Sequence, residues 1–268
     1  MENNIYQFPK IMGILNATPD SFSDGKNERI GKNSTEFLYQ KAVEMIENGA
    51  DIIDVGGEST RPNSNEVSIE EEIERVKPII EKLRKNYPKL EISIDTRRAE
   101  VAEELVKYDI DYINDVSGLT CDRKIAEIAA KHNIKLVVMH FREHDDCYYK
   151  NVVEEVFAFL EKQINIAKDM GVKDIIADIG IGFGKNKEDN LTLLKNFNYF
   201  DKLGLPHLLG ISRKRFIGEV ISENTPTDRD IATILFHSLL LKEKSIKIIR
   251  VHNVEMAMQL KKVYEALN

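Results

Sequence analysis

The chain has 268 residues, 42% of them hydrophobic and 31% charged, the makeup of a globular protein with one large or two small domains. Its formal net charge of −7 excludes a general nucleic-acid surface, which needs a basic stripe, though not a locally positive pocket for a small anion. No apolar run nears the roughly 20 residues of a membrane helix, MENNIYQFPK has no signal-peptide core, and Cys121 and Cys147 lack disulfide-framework or zinc-knuckle spacing, so a reduced cytoplasmic protein is expected.

Short β-rich runs alternate with longer amphipathic ones. Residues 11–15 (IMGIL) read as a first strand that stops at Asn16, ahead of a polar stretch holding Pro19, Gly25 and Gly31. That stretch is far longer than an ordinary connector. Helical spacing over 34–50 leads to strand DIIDV (51–55), and spacing over 70–86 to strand EISID (91–95). A further stretch, 97–109, leads to DYINDV (111–116). The second half continues the alternation: helical 122–133, strand KLVVM (135–139), helical 152–171 and strand DIIAD (174–178). Helical 190–204, strand HLLG (207–210), helical 228–245 and strand IKIIRV (246–251) complete it. Leu, Ile, Val, Phe and Ala recur at three- and four-residue spacing in each helical stretch. Gly49, Gly171 and Gly204 stand where helix C-caps would precede strands.

Nearly continuous apolar strands separated by helices predict a parallel sheet buried on both faces. Eight such units in one chain predict a single (β/α)8 TIM barrel domain over residues 1–268; an open doubly wound sheet is the alternative. The polar residues favour the barrel. Asn16, Asp54, Asp95, Asn114 with Asp115, Met139 with His140, Asp178, Ser212 with Lys214, and Arg250 with His252 all fall at C-terminal strand ends. A barrel gathers those ends at one mouth, whereas an open sheet spreads them apart.

Four segments carry candidate chemistry. DVGGESTRP (54–62) sets Asp54 before paired glycines, then offers Thr60 and Arg61 for an anion or as an incidental surface turn. DIGIGFGKN (178–186) is no Walker loop, because its Lys185 spacing fails and Asn186 replaces Ser or Thr. Asp178 there suits a flat ligand held edge-on, with Phe183 for stacking or packing, and a merely conformational glycine-rich turn is the alternative. GISRKRFIG (210–218) places Arg213, Lys214 and Arg215 at a helix start, where cations oppose the dipole and need a reason such as an anionic ligand, with a solvated basic patch as the alternative. IRVHN (249–253) puts Arg250 and His252 on one side of a strand, fit for phosphate or pyrophosphate. His140, His144, Asp145 and Asp146 resemble a metal cluster only superficially, since ligands on several strands are lacking. Mg2+, which accepts one protein oxygen plus phosphates and water, fits better, with Asn16 as that oxygen.

The segments MGILNATPDSFSDG (12–25), DIIDVGGESTRP (51–62), SIDTRRAEVA (93–102), INDVSG (113–118), GIGFGK (180–185), GISRKRFIG (210–218) and IRVH (249–252) together resemble dihydropteroate synthases, in family order across nearly the whole chain. The resemblance implies an enzyme that condenses 6-hydroxymethyl-7,8-dihydropterin diphosphate with 4-aminobenzoate and releases pyrophosphate. It implies that Asp95, Asn114, Asp178 and Lys214 hold the pterin, with Asp54, Met139 and Phe183 at the same mouth. Asn16 would bind Mg2+ and, with Arg250 and His252, the diphosphate. Thr60, Arg61 and Pro62 would border the aminobenzoate, with Arg215 near its carboxylate. Asp20, Phe22 and Asp24, in a lid running from Ala17 to about Lys32, would organise that second substrate. A homodimer is implied as well.

The chain departs from the family pattern at several places. Ile179 replaces the usual Pro, which predicts a looser turn at Asp178; Arg215 replaces a small residue; Asn253 replaces Asp. The loop from His140 lacks the usual Gly and Pro. A pterin-dependent methyltransferase and a non-catalytic pterin binder are the alternative readings.

Overall fold

In the computed structural model, which describes residues 7–18, 34–58, 66–142 and 148–268, eight strands pair in chain order and close into a barrel. They are β1 (Lys10–Asn16), β2 (Ile52–Gly56), β3 (Glu91–Asp95), β4 (Tyr112–Asp115), β5 (Lys135–Met139), β6 (Ile175–Asp178), β7 (His207–Leu209) and β8 (Ile246–Val251). All neighbours are parallel, and β1 also pairs with β8, which shuts the cylinder and rules out the open sheet.

The helices are α1 (Ser34–Glu47), α2 (Ile69–Asn86), α3 (Ala99–Leu105), α4 (Lys124–His132) and α5 (Val152–Asp169). They continue with α6 (Lys187–Lys195), α7 (Arg215–Ile221), α8 (Asp230–Leu240) and α9 (Val254–Leu267). Local chemistry sets their ends. Ser68 Oγ accepts the Glu71 amide at 3.1 Å to start α2, and Asn186 with Asp189 forms a capping box on α6. The glycines expected as C-caps, Gly49, Gly171 and Gly204, have φ of 97°, 91° and 65°.

Two elements differ from the expectation. The sixth helical stretch begins at its Asn186 cap and divides after Lys195, continuing as a 3₁₀ helix, Phe197–Leu203, that buries Phe197 and Phe200. The terminal helix α9 was not anticipated, because its apolar face is thin; Val254 and Ala257 are its buried residues. Tyr264 of α9 lies against Phe8, with ring centroids 5.6 Å apart, and so ties the end of the chain to its beginning.

Alternate strand residues face inward and form layers. At the lower end Glu91 accepts from Lys135 Nζ at 2.9 Å and also binds Lys10 and the Tyr112 hydroxyl. Above lies an apolar layer of Met12, Ile52, Tyr112, Val137, Ile176, Leu208 and Ile248, separate from the larger core between sheet and helices. Polar residues begin one step higher. The sealed interior thus concentrates chemistry at the mouth.

Two histidines sit deep in this scaffold. His207 opens β7, edge-on to Phe197 with centroids 5.3 Å apart, and His237 of α8 donates from Nδ1 to the Thr233 carbonyl at 2.9 Å. Burial strips hydration from their charged forms and pushes both down to about 4. The unfolded chain, titrating near 6.5, therefore binds protons that the folded chain refuses. Stability is expected to be full above about pH 6.5 and to fall as pH drops toward about 4. Urea midpoints at neutral pH and near the lower limit check this, and His207→Leu is expected to flatten the decline.

Candidate active site

The floor of the mouth is a buried ion cluster. Arg250, on β8, donates from Nε to Asp54 Oδ2 at 2.6 Å and from Nη2 to Asp95 Oδ2 at 2.7 Å. Asn114, on β4, donates to the same Asp54 oxygen at 3.1 Å. Register explains the depth of each group. Asp54 is level with Ser93, whereas Asp95 is level with Gly56 and Asn114, one inward position nearer the opening. Asp54 therefore lies fully buried beneath the cavity and supports Arg250 and Asn114 instead of forming its wall. Burial pushes the Asp95 carboxyl up to about 7 against the pull of Arg250. Burial also works against Arg250, yet Asp54 and Asp95 hold its guanidinium above the ordinary value.

The next wall is the turn after β6. Asp178 Oδ1 accepts the Gly180 amide at 2.7 Å, and Ile179 is fully buried. A buried lysine fastens this proline-free turn. Lys185 Nζ reaches the Gly180 carbonyl at 2.7 Å, the Phe183 carbonyl at 3.0 Å and His140 Nδ1 at 2.8 Å. Three donors meet three acceptors. Burial lowers Lys185 to about 7 and drives His140 far below its usual range, with the Lys185 charge adding to the effect. A side chain at Gly180 would strike the His140 carbonyl, since a Cβ there would lie 1.9 Å from that oxygen. His140 thus braces the turn. His144, Asp145 and Asp146 lie outside the described residues, as does Cys147.

Lys214 enters the mouth over the Phe183 ring, its Nζ 3.8 Å from the centroid. Gly182 makes room: at φ 82° it holds a backbone closed to most residues, and a Cβ would come within 2.9 Å of Lys214 Cδ. Burial lowers Lys214 to about 8, Arg250 adding to the fall while Asp178 and Asp95 oppose it. Asp178 is itself raised by burial, with the Gly180 amide and Lys214 pulling it back.

The rim sorts the basic triplet expected to share one anion. Arg213 turns to Asp230 in a bidentate pair, Nε to Oδ1 at 2.6 Å and Nη2 to Oδ2 at 2.8 Å. Arg215 lies exposed at the outer edge, paired with Glu219 at 3.1 Å. Only Lys214 of the three lies over the Phe183 ring. His252 is joined to Ser212 twice, its amide donating to Ser212 Oγ at 3.1 Å and its Nδ1 lying 2.9 Å from the same atom. Asn16, Asn114, Met139, Asp178, Lys214 and Arg250 share one cavity of about 990 Å3 with Phe183 and His252. Asp20, Phe22, Asp24, Thr60, Arg61 and Pro62 lie outside the described residues, as does the lid expectation from residue 19 onward. Glu58 and Glu66, which flank residues 59–65, both bind Arg97, at 3.1 Å and 2.9 Å. The SIDTRR segment thus braces that loop's stems.

Lys185 and Asp230 carry no site role in the sequence reading, and Ser212 enters it only as a polar residue at a strand end. A lysine in a glycine-rich turn invites a phosphate reading, and no signal for Asp230 exists without the fold.

The fold and the mouth define a barrel enzyme class that binds a flat, polar, anionic ligand, and residues 12–252 match the family described as pterin binding enzyme. A dihydropteroate synthase of Clostridium beijerinckii is 46% identical over 257 residues, covering 94% of this chain and 92% of that protein. Two structures of Xanthomonas albilineans dihydropteroate synthase align over 97% of this chain and 93% of theirs. One, with 4-aminobenzoic acid, has a TM-score of 0.89 at 37% identity. The other, with 7,8-dihydropteroate, has a TM-score of 0.85 at 35% identity. The chain belongs to the dihydropteroate synthase family.

Removing the Asp54 carboxylate strips Arg250 of one partner in a buried site. Asp54→Ala is expected to lower unfolding stability by about 3 kcal/mol. Urea denaturation measures it, and an unchanged midpoint would remove Asp54 from this supporting role.

Proposed function

We propose that the barrel mouth joins 6-hydroxymethyl-7,8-dihydropterin diphosphate to 4-aminobenzoate, giving 7,8-dihydropteroate and pyrophosphate in folate biosynthesis. The observation that carries this reading is one cavity offering Asp178 and Asn114 as acceptors beside Lys214 and Arg250 as cations. A pterin presents a guanidine-like N–H edge, and a buried carboxylate is its natural acceptor. Asp178 Oδ1 is occupied by Gly180, so its other oxygen meets that edge. Met139 and Phe183 flank the ring, while Lys214 and Asp95 bond its polar atoms. Asn16, Arg250 and His252 meet the diphosphate.

The reaction is a substitution at the pterin methylene carbon. As its bond to the diphosphate oxygen breaks, the electron pair leaves with pyrophosphate, and Arg250, His252 and Lys214 balance that charge. The carboxylates of Asp95 and Asp178 offset the positive charge left on the pterin. The amine nitrogen of 4-aminobenzoate, neutral at pH 7, supplies the pair for the new C–N bond. Its surplus proton passes to pyrophosphate or solvent. Thr60, Arg61 and Pro62, with Asp20, Phe22, Asp24 and Arg215, are assigned to the aminobenzoate; Arg215 must release Glu219 to reach a carboxylate.

Among the described residues no cluster of three His, Cys, Asp or Glu side chains forms a metal cage. A hard cation that takes most of its oxygens from phosphate and water needs no cage, and the Asn16 side chain at the cavity supplies the one protein oxygen required. Mg2+ held there would offset charge on the departing diphosphate.

A homodimer is proposed on the apolar face of α8. Ile231, Leu235 and Leu239 repeat every four residues and are 65%, 58% and 71% exposed. Such a stripe is costly to leave in water, and a second copy covers it. No helix among the described residues is long and apolar enough to cross a membrane, and a cytoplasmic location is proposed.

Three measurements test these readings. Mixing both substrates with Mg2+ is expected to release one pyrophosphate per dihydropteroate, and Lys214→Ala or Arg250→Ala to cut turnover at least about a hundredfold without unfolding the chain; wild-type turnover in either variant would sink the assignment. Because Lys214 acts as an ammonium, kcat/KM for the pterin substrate is expected to fall as pH rises through about 8. Leu235→Glu is expected to give a monomer by sedimentation, and a wild-type monomer would refute the dimer.

A further inference from the structure

Arg213, the residue before Lys214, has φ 59°. This left-handed backbone is strained for a non-glycine residue, and it persists only where the surroundings enforce it. Here they enforce it completely, and from one place. The Arg213 amide donates to Thr233 Oγ1 at 3.2 Å, its carbonyl accepts from Arg229 Nη1 at 3.1 Å, and its guanidinium is forked onto Asp230. All three partners stand within residues 229–233, where α8 begins. The strained residue is therefore held at amide, carbonyl and side chain by a single helical turn.

The same carboxylate reaches a second loop. Asp230 Oδ2 accepts from Asn253 Nδ2 at 3.1 Å, and Asn253 follows His252 directly. Asn253 also caps α9, its Oδ1 accepting the Met256 amide at 3.0 Å. One residue earlier in each loop, Ser212 Oγ meets both the amide and the ring of His252. The loops after β7 and β8 are thus laced together at two successive steps, and Asp230 is the charged lace. This gives Asn253 a physical reason. An aspartate there would set a second carboxylate against Asp230 at hydrogen-bond distance, whereas the amide donates.

We propose that Asp230 is a positioning residue for the reaction, fixing the two loops that bring Lys214 to the pterin and His252 to the diphosphate of the substrate. The proposal rests on the function given above, and it accounts for Arg213, alone of the basic triplet, taking no part in ligand binding. Asp230 balances the charge of Arg213, so that residue acts as an anchor. The freedom removed is that of the neighbouring Lys214, which must stay over Phe183 while bonding the polar atoms of the pterin.

The test uses the full-length protein and two variants, Asp230→Ala and Asp230→Asn. Inorganic pyrophosphate binding is measured by calorimetry, and kcat and both KM values by turnover. Asp230→Ala is expected to weaken pyrophosphate binding and to lower kcat by tenfold or more, with KM for 4-aminobenzoate unchanged within twofold. Asp230→Asn keeps the shape and one acceptor oxygen, so its loss is expected to be smaller in both measurements. Should the alanine variant not fold, the asparagine variant decides the matter by the same two readouts. Pyrophosphate affinity and kcat within twofold of wild type in a folded variant would overturn the proposal, as would a lowered melting temperature with both of these unmoved. An inactive wild-type protein would instead count against the assigned reaction, and the pyrophosphate titration would still decide the role of Asp230.

Discussion

The mouth of this barrel depends on the buried contact of Arg250 with Asp54 and Asp95. A charge taken out of water costs several kcal/mol unless it is paired and fully hydrogen-bonded. Here a guanidinium from the last strand reaches past β1 to carboxylates on β2 and β3, and Asn114 on β4 shares one of their oxygens. Four strands from both ends of the chain are fixed relative to each other by that cluster. Its position above an apolar layer means that water does not compete from below.

Around this cluster the cations divide by task. Lys185 and Arg213 are spent on the scaffold, the first on backbone carbonyls beneath the glycine turn and the second on the Asp230 carboxylate just ahead of α7. Lys214 and Arg250 remain where a ligand can meet them. The carboxylates divide likewise. Asp54, Asp115 and Asp230 are committed to protein donors, whereas Asp178 keeps an oxygen for the cavity. A flat polar ligand with an anionic tail fits that division: its ring faces acceptors, and its tail faces cations.

Much of this was legible from the chain. Eight apolar runs with polar residues at their C-terminal ends favoured a barrel over an open sheet, because a barrel gathers those ends, and Asn114, Asp178, Lys214 and Arg250 do meet in one cavity. What stayed hidden is of two kinds. Depth depends on register, so Asp54 and Asp95 look equivalent in sequence although one lies a layer below the other. Direction depends on backbone twist, so three adjacent basic residues gave no hint that one turns to Asp230 and another to Glu219. The pairing of Arg250 with Asp54, 196 positions apart, is set by closure of the barrel and by nothing local. The helix α9 was missed because its buried face is little more than Val254 and Ala257.

The apolar layer has a consequence for the order of events. Met12, Ile52, Tyr112, Val137, Ile176, Leu208 and Ile248 pack the barrel's middle, with Glu91 and its lysines beneath. The cavity is therefore a cul-de-sac, with entry and exit through one door. In the proposed binding mode a pterin held against Asn114 and Asp178 would occupy the blind end, so a partner molecule arriving first would stand in its path. For the reaction proposed above, a cavity of that shape favours entry of the pterin substrate before the amine, with the joined product leaving by the way both came.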